Sequence, residues 1–316
     1  MIIRAQSGFF IVNTAEGEFS CHLRGRLKQG PKTGDIVALG DWVKISCQDE
    51  KKGMIEEVEP RRNMIYRMDP RPQGEYRQII IANPDQAIYV FSCARPEPRL
   101  RMLDRFLVVA EKEKTPAIIV ANKIDLIGMD GAREYFERYE KIGYPVIYTS
   151  AEKNQGIDKL EETLIGKISL LAGPSGAGKS SLLNAVQPGL GLAVRGVSQA
   201  TKKGRHTTVF RQLFPLEKGG YMADTPGLKA LDLWDTTPEE VDGYFPEIRD
   251  ALMYCRFSDC THKDEPGCAV REAIEKGEIH PERYQSYLRM RKVQEDTLFI
   301  WGCFALCPSH SPSYLR

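Results

Sequence analysis

Hydrophobic and polar positions change rhythm along this chain. Over about residues 1–65, short alternating segments at 8–12, 18–25, 35–45 and 51–58 are separated by turn formers, which predicts some five short β-strands. Strands so short and so close together suit a closed barrel, because closure hides edges that a small open sheet would leave exposed. The alternation alone fits an OB-type barrel and an SH3-like barrel equally. Trp42, after the Gly40-Asp41 turn, is read as a core residue in preference to a base-stacking platform.

Residues 60–63 and 69–74 are rich in turn formers and charge and read as a linker. The period then becomes that of alternating strands and helices. Segment 78–91 ends in a central strand, and a helix follows over 100–113 with Leu100, Leu103, Phe106, Leu107 and Ala110 along one side. A buried strand over 115–121, a helix over 131–142 and strands at 145–148 and 167–172 complete the pattern. It predicts a largely parallel sheet covered on both faces. From residue 231 the chain becomes a small module closed by a helix over 281–298. Residues 299–316 read as a disordered tail, the alternative being a partial metal site from Cys303, Cys307 and His310.

Chemistry sharpens this outline. Gly173-Pro174-Ser175-Gly176-Ala177-Gly178-Lys179-Ser180 has the spacing G-x-x-x-x-G-K-[ST], with a strand before it and a helix opening at Ser181 after it. Small residues let successive amides point at phosphate oxygens, Lys179 reaches the β/γ phosphates, and Ser180 coordinates magnesium. Asp224-Thr225-Pro226-Gly227 lies 45 residues beyond Lys179. Asp224 is placed to hold a magnesium-bound water and Gly227 to offer its amide to a γ-phosphate. By itself the tetrad is also an ordinary turn.

Asn122-Lys123-Ile124-Asp125 follows the strand at 115–121. The Asp125 carboxylate would accept from the guanine N1 and N2 hydrogens, donors that adenine lacks. Asn122 would brace neighbouring loops, and Lys123 would cover the base with its stem. The amides of Ser150 and Ala151 would meet the guanine carbonyl. A solvated loop is the plainer alternative for the tetrad taken alone. The base-reading segment precedes the phosphate-binding one, the reverse of an ordinary small GTPase, as though such an enzyme had been cut open and rejoined elsewhere.

Cys255, Cys260, His262 and Cys268 are separated by four, one and five residues. Three thiolates and an imidazole satisfy one tetrahedral zinc ion and leave no position for water, so the metal is expected to be structural. The other five cysteines, at 21, 47, 93, 303 and 307, are scattered, which suits a reducing cytoplasm. With 44 basic and 43 acidic side chains there is no global pull toward nucleic acid, so any such contact needs local patches. Arg24, Arg26, Lys28 and Lys32 offer one, and Arg195, Lys202, Lys203, Arg205 and Arg211 another. No stretch approaches a membrane span and no heptad repeat suggests self-association, so a soluble monomer is expected.

Taken with their order, these motifs resemble the RsgA (YjeQ) family of circularly permuted ribosome-assembly GTPases over about residues 1–298. The resemblance implies three domains: an all-β OB-fold barrel (1–65), an α/β circularly permuted P-loop GTPase (73–230) and a small α-rich zinc-binding domain (231–298). It implies a weak GTPase that uses magnesium, is stimulated by the small ribosomal subunit, and touches that subunit's rRNA. It also assigns Gly204-Arg205-His206-Thr207-Thr208 to the first switch. There His206 would orient the attacking water or face RNA or phosphate, and Thr208, with Thr207 as the alternative, would bind magnesium. Leu228 stands where Ras-like enzymes carry a water-positioning glutamine, so intrinsic turnover should be slow. Two rival functions differ in class. A P-loop metabolic kinase would not need Asn122 to Asp125, and an RNA-binding module using nucleotide only for shape would not turn GTP over.

Overall fold

The computed structural model describes the chain except residues 7, 30–32, 72–73, 191–210, 225–232, 234 and 307–316. It forms two units, Met1–Asp232 and Leu233–Arg316. Among the described residues, no helix is long and apolar enough to cross a membrane.

The first unit opens with β1 (Ile2–Gln6), β2 (Phe9–Thr14), β3 (Gly17–Leu23), β4 (Val43–Asp49) and β5 (Lys52–Val58), in sheet order β1-β2-β3-β5-β4. The period-two rule holds along β3, where Phe19 and Cys21 are buried while Glu18 and His22 face out. β1 is also bonded to the turn that precedes β4, through Ile2 N to Asp41 O and Gly40 N to Ile2 O, both 2.9 Å. The five-strand reading is therefore matched, with three corrections. β1 lies before the first expected strand; it is extended because it pairs with β2 on one side and a distant strand on the other. Segment 35–45 is not one strand, since its first part is wound into turns around the fully buried Asp41 carboxylate. That carboxylate accepts from Ala38 N at 2.7 Å and from Arg61 Nε and Nη2 at 2.7 and 2.8 Å. Trp42 is 50% exposed and so is not a core residue.

Residues 60–63 lie outside any strand, but the second stretch of the expected linker falls in a hairpin, β6 (Met64–Arg71) and β7 (Gly74–Ala82), paired from Met64↔Ala82 to Arg71↔Gly74. Ile65, Ile79 and Ile81 of the hairpin are buried. Asn83 then ties the barrel to the next domain, accepting from Arg62 N at 2.8 Å and donating to Gly40 O at 3.2 Å.

That domain contains β8 (Gln86–Ser92), α1 (Leu100–Lys112), β9 (Ala117–Asn122), α2 (Gly128–Lys141), β10 (Val146–Thr149), α3 (Ile157–Leu164), β11 (Ile168–Ala172), α4 (Lys179–Val186), β12 (Arg211–Pro215) and β13 (Tyr221–Asp224). Strand order is β10-β9-β8-β11-β13-β12, parallel except for β12, whose other edge pairs with β1. Every residue of β8, β9 and β11 is buried, because helices cover both faces. Ile88 and Val90 of β8 pack with Leu160, Leu164, Leu182 and Leu183 of α3 and α4. The alternate residues Tyr89 and Phe91 meet Phe106 of α1 at ring-centroid distances of 5.3 and 6.1 Å.

The second unit contains α5 (Pro246–Leu252), α6 (Ala269–Glu275) and α7 (Pro281–Leu306). Phe245 packs edge-on against Tyr287 at 5.8 Å, and the Arg283 guanidinium lies 4.7 Å over the Phe245 ring. Arg283 and Glu247, 2% and 4% exposed, pair at 2.7 Å. Helix α7 continues past the expected end at 298, because no proline interrupts the chain before Pro308. The tail reading is thus corrected for 299–306, while 307–316 lie outside the described residues.

Candidate functional site

A parallel sheet directs the loops at its carboxyl ends to one side, and strand order reverses between β8 and β11. A crevice at such a reversal is where open α/β sheets bind ligands. The ends of β9, β10 and β13 and the loops after β9, β10 and β11 carry residues singled out by sequence.

The phosphate-type loop follows β11 and feeds α4. Gly173 (φ 150°) passes so close to β8 that a Cβ there would lie 2.1 Å from Val90 O. Pro174 and Ala177 are buried, Ser175 is exposed, and Ser180 and Ser181 occupy the first turn of α4. Gly178 precedes that helix in the left-handed region (φ 94°), and a Cβ on it would sit 2.3 Å from Asn122 Nδ2. Lys179 Nζ donates to the carbonyls of Gly173 at 2.8 Å and Pro174 at 3.0 Å, so its ammonium group lies within the turn of the loop.

The segment after β9 is joined to that loop. Asn122, 1% exposed, donates from Nδ2 to Ala177 O at 2.9 Å, and Thr149 Oγ1 donates to its Oδ1 at 3.2 Å. It therefore ties the end of β10 to the loop after β11. Lys123, in the left-handed region (φ 67°), spans from Arg95 O (2.6 Å) to Gly176 O (2.7 Å). Its pKa is lowered by burial, with the Asp125 charge acting in the opposite sense. Asp125 Oδ1 accepts from Ser150 Oγ at 2.5 Å, which orients the carboxylate. One correction follows. The Ser150 amide donates to Gln155 O at 2.9 Å and is not available to a base; of the expected pair of amides, that leaves Ala151. The Arg95 carbonyl was missed by the sequence reading, since a main-chain acceptor leaves no mark in residue type. Nearby Cys93 is buried, and burial, then the Asp125 charge, push its thiol up to about 12.

Asp224 ends β13, in register with Leu171 of β11, which brings its main chain to the same sheet end. His206, Thr207, Thr208 and Gly227 lie outside the described residues.

In the second unit, single ligand atoms of Cys255, Cys260, His262 and Cys268 all lie within 4.8 Å of one another. His262 Nδ1 is 3.7 Å from Cys255 Sγ and 3.4 Å from Cys268 Sγ. Burial pushes the Cys260 thiol up to about 12 and raises that of Cys268, so a cation is what would make this pocket of soft donors ionise. The donor set fits zinc and leaves no open position. The loop between the ligands is pinned by Glu265. Burial works against ionisation of this carboxylate, but donors from Thr261 Oγ1, Thr261 N and Lys263 N bring its pKa down to about 2.

Asn122 offers a direct check on the joined loops. Asn122→Ala removes both links and leaves the Ala177 carbonyl buried without this donor, at a cost of about 1–3 kcal/mol. Urea unfolding of the variant should show a lower midpoint, together with weaker nucleotide binding.

A glycine-rich loop feeding a helix, a base-reading segment braced against it, and a chain that enters the sheet at β8 define a circularly permuted P-loop GTPase. Comparison with known proteins agrees. The RsgA GTPase family model matches residues 58–234 and the RsgA N-terminal domain model matches residues 1–55. A small ribosomal subunit biogenesis GTPase RsgA from Gemmatimonas aurantiaca is 44% identical, over 92% of this chain and 95% of that protein. Its namesake from Moorella thermoacetica is 42% identical, over 91% and 94%. The crystal structure of YjeQ from Thermotoga maritima superposes with a TM-score of 0.75 at 38% identity, covering 93% of this chain and 97% of that one. That of YloQ, a circularly permuted GTPase, gives 0.71 at 32% identity, covering 94% of each chain. The chain belongs to the RsgA GTPase family.

Proposed function

We propose that this chain hydrolyses GTP to GDP and phosphate in the service of small ribosomal subunit maturation, and that the subunit itself accelerates the reaction. The observation that carries the nucleotide reading is the pair of links from Asn122 and Lys123 to the carbonyls of Ala177 and Gly176, which join a base-reading segment to a phosphate loop. Asp125, oriented by Ser150, accepts from the guanine N1 and N2 hydrogens, and the Ala151 amide meets the guanine carbonyl. Lys123 covers the base. The amides of 173–181 and the Lys179 ammonium hold the phosphates, with Gly227 presenting its amide to the third. Ser180 and Thr208, with Thr207 the alternative to Thr208, would hold Mg²⁺, with Asp224 placed to hold a magnesium-bound water; the ion would supply charge neutralisation at the phosphates. Zinc in the second unit is structural.

The catalytic set is Lys179, Thr208 and His206. Leu228 cannot hydrogen-bond water, so His206 takes over orientation of the nucleophile when the subunit is bound. The separate Asp224–Gly227 element continues in sequence into the second unit, which gives γ-phosphate loss a covalent route to a change in subunit binding.

RNA contact fits the barrel. Trp42 is half exposed, and the exposed rings of Phe9 and His22 meet at a tilt, centroids 4.3 Å apart. Lys28 is exposed, whereas Arg24 and Arg26 both pair with Glu56, which reduces the patch expected from the four basic residues. Lys32, Arg195, Lys202, Lys203 and Arg205 lie outside the described residues. The protein would act as a monomer in the cytoplasm.

The test is GTP and ATP hydrolysis with and without purified small subunits. Wild type should turn over GTP slowly and faster with subunits. His206→Ala should keep GTP affinity and lose the stimulation. Unchanged stimulation removes His206 from catalysis, and an absence of any stimulation in wild type overturns the ribosomal reading.

A further inference from the structure

We infer that Asp242 is the positioning carboxylate of the metal centre, holding the His262 ring so that Nδ1 faces the three thiols. The inference rests on the zinc reading of Cys255, Cys260, His262 and Cys268. His262 is 2% exposed, and its Nδ1 is the ring nitrogen turned toward Cys255 and Cys268. When Nδ1 donates its lone pair to a cation, the imidazole proton must reside on Nε2. That nitrogen is buried and has no hydrogen-bond partner within range. The Asp242 carboxylate faces it, Oδ2 standing 3.6 Å away with its side chain 16% exposed. This is longer than a hydrogen bond, yet a shift of a few tenths of an ångström would close it.

The other contacts of His262 serve different atoms. Its main chain is in the left-handed region (φ 61°), its carbonyl accepts from Tyr284 Oη at 2.5 Å, and its ring lies 6.0 Å from that of Tyr287. These fix the backbone and one ring face but give the Nε2 proton no acceptor. Asp242 comes from a separate segment, the 3-10 turn Asp242–Tyr244, placed between the buried residues Val241 and Phe245. An acceptor behind a ligating histidine selects the tautomer, sets the ring angle and makes the metal-facing nitrogen more basic. No spacing rule identifies Asp242 from the sequence, because it lies outside the ligand motif.

The test uses the full chain. Zinc affinity is measured by competition with a chromophoric chelator for wild type, Asp242→Ala and Asp242→Asn, alongside NMR of ¹⁵N-histidine-labelled protein at saturating zinc. Asp242→Ala should weaken zinc binding about 10–100-fold. Asp242→Asn keeps an acceptor without the charge and should lose less, about threefold or more. At saturating zinc the His262 Nε2–H should exchange with solvent faster in both variants, a change that a merely structural role would not cause. Should Asp242→Ala fail to fold, Asp242→Asn supports or overturns the inference by the same readouts. Zinc affinity within twofold of wild type in a folded variant, with an unchanged Nε2–H signal, overturns it. A wild-type protein that binds no zinc removes the metal site itself, a result distinct from a wild type that binds zinc no better than its variants.

Discussion

Lys179→Ala should lower GTP affinity about 100-fold or more and abolish measurable turnover. The size follows from what the side chain is placed to do. Its ammonium group lies within the loop, against the carbonyls of Gly173 and Pro174. A triphosphate held by the loop amides would bring β and γ oxygens to that group, and each charge-assisted bond is worth about 1.5–3 kcal/mol. Two such bonds disappear together, and the two carbonyls lose a donor as well. Lys179→Arg should not restore binding, since a planar fork cannot take the place of a compact cation inside so tight a turn. Parallel titrations with a fluorescent GTP analogue decide the point, and equal affinities for wild type and Lys179→Ala would remove the loop from nucleotide binding.

Removing zinc should unfold the second unit. Three thiols and a buried imidazole with an unpartnered Nε2 form a poor core unless a cation ties them. Metal binding in comparable four-ligand sites contributes about 10–16 kcal/mol at neutral pH, more than a module of this size retains from packing alone. Chelation, or Cys268→Ala, should therefore raise amide hydrogen exchange across α5, α6 and the start of α7 by several orders of magnitude. Protection of the β8–β11 strands should persist. Binding releases protons from the thiols, so zinc affinity should fall as pH is lowered. Unaltered exchange in α5 and α6 after complete chelation would make the site incidental to the fold.

What sequence revealed and what it concealed divide along a physical line. Phosphate-type loops, base-reading tetrads and four-ligand metal clusters are residue types at fixed local spacing, so the segments at 122–125, 173–180 and 255–268 were legible as candidates, and the buried strands β8, β9 and β11 were legible from their apolar runs. Features set by distant partners were hidden. Strand β1 owes its conformation to β12, far along the chain, and the 35–45 segment bends because a buried Asp41 collects donors from Ala38 and Arg61. Turn formers at 69–74 suggested a linker where residues 69–71 and Gly74 belong to the paired strands of a hairpin. The exposure of Trp42 and the capture of the Ser150 amide by Gln155 depend on packing and main-chain geometry, which residue identity does not encode.

Nucleotide discrimination, measured by competing GTP and ATP against a labelled guanine nucleotide on wild type and Asp125→Asn, bears most directly on convergence of these loops around one guanine. Wild type should prefer GTP by about 100-fold or more, because adenine in the same position would leave the half-buried Asp125 carboxylate without two donors. Asp125→Asn, with one acceptor in place of two, should lose most of that preference. Equal competition by ATP on wild type, or a preference that survives the substitution, would contradict it.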